Sequence, residues 1–217
     1  PVERIRVRAG GLEQAGVATG DEGFRLEWRP ASPDIAAAFA ALTRELPAPL
    51  PDGYVTEFAP AAGAWLATAL AGLGRGAAWL IDYGLPRAQY HHASRDGGSF
   101  CGFFRHRRHE DPFLHPGLSD LTAWVDFTTL AEAGLACGFE VAGFTTQAHF
   151  LADTGLDQEF AAEAGGLDER GRAALAQAVA QLILPGEMGE KFKVLALSRG
   201  LSATPAGFGF RDLAATL

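Results

Sequence analysis

The chain has 217 residues, nearly half of them hydrophobic, which is enough to bury a full core in one domain or slightly more. Lys and Arg number 18 against 26 Asp and Glu, a net charge of −8 that argues against a nucleic-acid partner. Two cysteines, Cys101 and Cys137, give no disulfide framework, no apolar run reaches bilayer length, and no signal peptide opens the chain. These features lead to the expectation of a cytoplasmic protein without membrane insertion.

Val2-Glu-Arg-Ile-Arg-Val-Arg8 alternates like a strand and turns through Gly20-Asp-Glu-Gly23 into a second, Phe24 to Arg29, as a hairpin-like ribbon. Pro33 stands in the first turn of a helix over residues 34–45, with Ser32 as N-cap, and Pro47, Pro49 and Pro51 end it. Tyr54 to Phe58 reads as a short strand. Pro60 starts a helix that places Trp65, Leu66, Ala69, Leu70 and Leu73 on one face.

Gly72-Leu-Gly74-Arg-Gly76 lies between helix and strand, the reverse of a phosphate-binding loop, so it reads as a helix stop. A buried strand, Ala77 to Tyr83, follows. The order strand–helix–strand implies a parallel crossover from 54–58 to 77–83.

The stretch from Ala77 to Phe127 concentrates the candidate chemistry. Ligands of open α/β sheets collect beyond the carboxyl ends of strands, and this strand ends in Asp82-Tyr83-Gly84. A polar passage, Gly102-Phe-Phe-Arg-His-Arg-Arg-His-Glu-Asp111, comes next, with Arg105 expected to pair with Glu110, Asp111 or a ligand's carboxylate. In Asp120-Leu-Thr-Ala-Trp-Val-Asp126, Asp126 reads as the N-cap of the following helix, which leaves Asp120 and Thr122 as site candidates.

His91, His92, Cys101, His106 and His109 are zinc-compatible side chains. They form no Cys-x-x-Cys or His-Glu-x-x-His pattern, and arginines flank two of the histidines, so no metal is expected. Helical spacing runs from Asp126 to Cys137, a strand from Phe139 to Thr146, helices over 147–152 and 168–182, and a last strand from Lys191 to Ser198. The domain reading assigns 1–200 to one folded part and 201–217 to a loose tail.

In one order the chain carries Glu57-Phe-Ala-Pro60, Leu80-Ile-Asp-Tyr-Gly84, Arg105-His106 with His109, Asp120-Leu-Thr122 with Val125-Asp-Phe127, Thr146-Gln147 with Phe150-Leu151, and Glu187-Met-Gly-Glu-Lys-Phe192. That series resembles the C-terminal part of the MidA family of S-adenosylmethionine-dependent protein arginine methyltransferases. The resemblance implies an α/β fold: the later strands of a Rossmann-like class I methyltransferase sheet, the last antiparallel, with flanking helices and a β-ribbon insertion. It implies S-adenosyl-L-methionine as donor, S-adenosylhomocysteine as product and a protein substrate carrying the target arginine, with a homodimer left open.

Mitochondrial members dimethylate an arginine during complex I assembly, so relatives in eukaryotes imply a mitochondrial matrix location. The glycine-rich donor motif of such enzymes and the acidic loop after their fourth strand are not in this sequence, and Pro1-Val2 resembles the point just after that acidic loop. A fragment inactive by itself is therefore expected. Asp82, Tyr83 and Gly84 are assigned to the cofactor side, and His106, His109, Asp120 and Thr122 to catalysis. The alternatives are a non-catalytic assembly module on the same fold and a small zinc-binding enzyme.

Overall fold

The computed structural model describes residues 1–21 and 23–217. The chain divides into two compact units, one formed by residues 1–62 and 87–126, the other by 63–86 and 127–217.

In the first unit β1 (Glu3–Arg8), β2 (Gly11–Gly20), β3 (Gly23–Pro30) and β4 (Val55–Phe58) form an antiparallel sheet in the order β3-β2-β1-β4. The expected ribbon is present with one strand more. Gly11, Ala15, Gly16, Ala18 and Gly20 give β2 too little apolar alternation to be read from sequence, whereas its pairing with both neighbours fixes it. Glu22, in the anticipated turn, lies outside the described residues. Arg6 and Arg8 both reach Glu13, and the Arg6 guanidinium lies 4.4 Å from the Trp28 ring centroid.

Helix α1 (Pro33–Thr43) starts as expected, with the Ser32 hydroxyl accepting from Ile35 N. Its Phe39 packs with Ile5 and Phe58, joined by Val7, Leu12 and Ile35, to make this unit's core. After α3 (Arg87–Tyr90) come β6 (Cys101–Phe104), β7 (Arg107–His109) and β8 (Asp120–Thr122), a small antiparallel sheet in the order β7-β6-β8, and the two-residue β9 (Val125–Asp126).

The parallel crossover expected between 54–58 and 77–83 does not form, because β4 is hydrogen-bonded to β1 in an antiparallel pair. The second unit instead contains α2 (Ala62–Leu70, from Gly63 on), β5 (Gly76–Leu85), α4 (Phe127–Ala136), β10 (Glu140–Thr146) and β11 (Phe192–Arg199). β11 pairs antiparallel with both β10 and β5, so β5 and β10 run the same way and the last strand is reversed between them. This is the expected late-sheet arrangement.

On one face of the sheet, Phe127 of α4 lies 5.3 Å from Phe144, and Leu197 approaches Gly134 so closely that a Cβ there would sit 2.6 Å from its Cδ1. On the other face, Phe150 and Phe208 pack on Val194 and Ala196. β5 is less buried than its sequence indicates: Trp79 is 46% and Ile81 52% exposed. Trp65, expected on the inner face of α2, is exposed, and Leu66 and Leu70 are buried instead.

Helices α5 (Gln147–Asp153), α6 (Leu156–Ala164), α7 (Glu169–Ile183) and α8 (Met188–Lys191) complete the unit. The segment from 201 onward, expected as a loose tail, is fastened. Gly207 N and Gly209 N donate to the Asp153 carboxylate, Phe144 N donates to Asp212, and Leu213 N donates to Phe144 O. Phe208 is buried against Gly143, where a Cβ would come within 2.3 Å of the ring. Backbone donors meeting two carboxylates hold a composition that by itself looks irregular.

Candidate functional site

At the carboxyl end of β5 in the second unit, register aligns Asp82 with Lys193 of β11, and Lys193 in turn with Thr146 of β10. Residues directly opposite share a face, so the three form one row. Asp82 is exposed; its Oδ1 accepts from Tyr83 N at 2.8 Å, and desolvation raises its pKa above the usual carboxylate range. Tyr83 stands edge-on to Phe192 at 5.4 Å, and Gly84 is buried.

Lys193 is 6% exposed, its pKa is lowered by burial, and its ammonium donates to Glu190 O. Sequence reasoning did not select it. A cation set between Phe192 and the apolar run Val194-Leu-Ala-Leu197 was the available signal. Thr146 also caps α5, accepting from His149 N, with His149 Nδ1 2.7 Å from its hydroxyl.

The first unit holds a buried polar network around Glu57, which is 0% exposed. Its Oε2 accepts from Ser99 N at 2.7 Å and Ser99 Oγ at 3.3 Å, and the Arg4 guanidinium lies 3.4 Å from Oε1. Desolvation raises the Glu57 pKa, partly offset by hydrogen bonds from Ser99 and Phe100 and the Arg4 charge. Gly98, at φ +77°, is required here twice over, since a Cβ would lie 2.2 Å from Glu57 Oε1.

Ser99 Oγ also meets Tyr90 Oη at 3.2 Å and accepts from Trp124 N. His91, 3% exposed, has Nδ1 3.2 Å from Thr56 Oγ1, while its Nε2 is buried without a hydrogen-bond partner. Desolvation, followed by the Arg87 charge, lowers the His91 pKa to about 4. The sequence series contained Glu57 as a family marker, but only folding shows that it organises the loop at 98–100.

The four catalytic candidates all lie on or next to the small sheet, yet not on one face of it. Cys101 faces Thr122 and Phe103 faces both Asp120 and Arg108, which puts Asp120, Thr122 and Arg108 on the same side. Asp120 is exposed and Thr122 half-buried. His109 is on the opposite side, its ring over Gly102, where a Cβ would meet Cε1 at 2.2 Å.

His106 is exposed at the β6–β7 turn with φ +64° beside Arg105 at +51°, so the two histidines lie on a hairpin rather than a helical turn. Arg105 does not pair with Glu110 or Asp111 as expected. It lies 5.3 Å from the Phe104 ring centroid, and Arg108 takes Glu110 at 3.1 Å. Asp126, expected as an N-cap, stands directly before α4 and forms a mostly buried ion pair with Arg87 at 3.2 Å. Among the described residues no three His, Cys, Asp or Glu side chains gather as a metal site, and no helix is long and apolar enough to cross a membrane.

Residues 1–145 match the family described as "Putative S-adenosyl-L-methionine-dependent methyltransferase". The chain belongs to this family. It is 37% identical over 120 residues to the mitochondrial protein arginine methyltransferase NDUFAF7 of Danio rerio, a match covering 54% of this chain and 26% of that protein. The Bos taurus protein of the same name is 34% identical over 123 residues, 56% of this chain and 26% of its own length.

Two crystal structures from Burkholderia thailandensis superpose on the whole chain with TM-score 0.89 and 39% identity. One, described as native and uncharacterized, is covered to 57% and the other, bound to S-adenosyl-homocysteine, to 55%. The chain thus spans little more than half of the solved relatives and about a quarter of the mitochondrial ones is matched.

Proposed function

We propose that this chain is part of an S-adenosyl-L-methionine-dependent methyltransferase whose acceptor is an arginine of a protein substrate. The observation that carries the reading is the likeness of the whole chain, at 39% identity, to a relative holding S-adenosyl-homocysteine. The arginine acceptor rests on the names of the mitochondrial relatives.

The residues fit a donor in part. The exposed Asp82 carboxylate at a strand's carboxyl end can accept from a hydroxyl or ammonium, and Gly84 adds no side chain there. The cradle is incomplete, since no glycine-rich strand–turn–helix loop exists in these 217 residues. The chain by itself therefore binds the donor weakly and is inactive.

When bound, the donor supplies an electrophilic methyl group. This chain's residues then position the acceptor, because displacement in line rewards alignment above all. A guanidinium is protonated in water, with a pKa above about 12, so carboxylates must hold it and orient one nitrogen. Asp120 serves that role, with Thr122 beside it on the same strand face. The released proton needs a base, and of the two histidines only His106 is exposed to take it; His109 lies across the small sheet from Asp120 with both ring nitrogens buried.

Calorimetric titration of S-adenosylhomocysteine into the whole protein, with and without Asp82→Asn, tests the reading. Heat of binding that weakens with the substitution supports it. A whole protein that binds no adenosyl compound would refute it.

A further inference from the structure

Within the second unit, α5, α6 and α7 line an open cleft of about 700 Å³. Its volume is in the range of small-molecule pockets. The walls are mostly apolar, including Phe160, Val179, Ala180 and Ile183, and Phe210 of the C-terminal segment contributes to the lining while remaining 69% exposed. A large apolar ring left in water at a cavity is a site awaiting contact rather than a folded core.

Two polar side chains break the apolar lining, His149 and Asp157. Nδ1 of His149 is held 2.7 Å from Thr146 Oγ1, and Thr146 also caps α5, so the ring is fixed and Nε2 is the nitrogen left for a ligand. In the tautomer where Nδ1–H donates to the threonine oxygen Nε2 is an acceptor, and that is the form an ammonium would select. Asp157, exposed in the first turn of α6, adds a carboxylate. No lysine or arginine is among the described lining residues, and the chain carries a net charge of −8. An anionic head group would find no counter-charge here, whereas an ammonium finds a carboxylate and an imidazole acceptor.

We propose that this cavity binds an amphiphilic organic amine, its apolar body between α5, α6 and α7 and its cationic nitrogen against Asp157 and His149. The site includes neither Asp82 nor Lys193, meets their row only through the His149–Thr146 contact, and does not depend on methyl transfer.

Three probes of equal chain length separate the contributions: n-octylamine, n-octanol and n-octanoate, titrated at pH 8 into the whole protein and followed by NMR shifts of the alanine methyl groups. Octylamine is expected to shift the lining residues and to bind roughly tenfold more tightly than octanoate, the difference a charge-assisted hydrogen bond supplies. Asp157→Asn should bring octylamine to the affinity of octanol without changing octanol itself. Ala180→Phe, filling the space, should abolish binding of all three, with circular dichroism unchanged. Should that variant misfold, Ala152→Leu fills the cavity from α5. The proposal is overturned by octanoate binding as well as the amine, by shifts confined to residues outside the cavity, or by a folded, filled variant that still binds.

Discussion

Replacing His91 with leucine removes a titratable group that is only 3% exposed and has one ring nitrogen, Nε2, buried without a partner. Burial lowers its pKa from 6.5 to about 4, so between these values the unfolded chain binds a proton that the folded chain refuses. Stability then rises with pH through this window and is lost on acidification below about 6.5. Integrating the single-site linkage from pH 7 to pH 5 gives a loss of about 2 kcal/mol from this one residue, approaching about 3 kcal/mol near pH 4.

Urea unfolding of the wild type and of His91→Leu at both pH values isolates the contribution, because all other titratable groups are common to both. The Thr56 hydroxyl keeps the Glu57 carbonyl as its acceptor in the variant. The wild type should lose about 2 kcal/mol more than the variant between pH 7 and pH 5. NMR titration of the His91 ring provides the direct reading. Equal pH dependence of the two proteins, or a ring that titrates near 6.5, would refute the argument.

Removing the Asp153 carboxylate with Asp153→Ala leaves Gly207 N and Gly209 N without their acceptor, at about 1–3 kcal/mol, and amide exchange over 205–217 should accelerate while β5 and β11 keep their protection. Arg87→Ala removes one partner of the mostly buried ion pair with Asp126, and breaking such a pair costs about 3–5 kcal/mol, visible as a lower urea midpoint. In the whole protein, Asp120→Ala should reduce methyl transfer at least roughly tenfold with circular dichroism unchanged, since a charge-assisted hydrogen bond is lost; unchanged turnover removes Asp120 from the acceptor side. Gly102→Ala should displace the His109 ring and move its NMR signals; unmoved His109 signals would count against that contact.

The sequence by itself determined the elements whose patterns are local. Ser32 and Pro33 set the start of α1, Asp168 sets that of α7, and the glycines at 74 and 76 separate α2 from β5. The ordered motifs also carried the family, and with it the reversed last strand. What sequence patterns did not carry was pairing. The small residues of β2 and the arginines of β7 become strands only because a neighbour supplies their hydrogen bonds.

The same holds for the sites. Asp82 was legible as a carboxylate ending an apolar strand, whereas Lys193 joins it through a register between residues more than a hundred positions apart. His109 and Asp120 looked like members of one cluster, but strand alternation sends them to opposite sides of the small sheet. Tertiary structure alone decided which polar groups lie beyond the reach of water. Glu57 and His91 owe their shifted pKa values to that burial, a property of the surroundings that folding brings around them rather than of their neighbours in the chain.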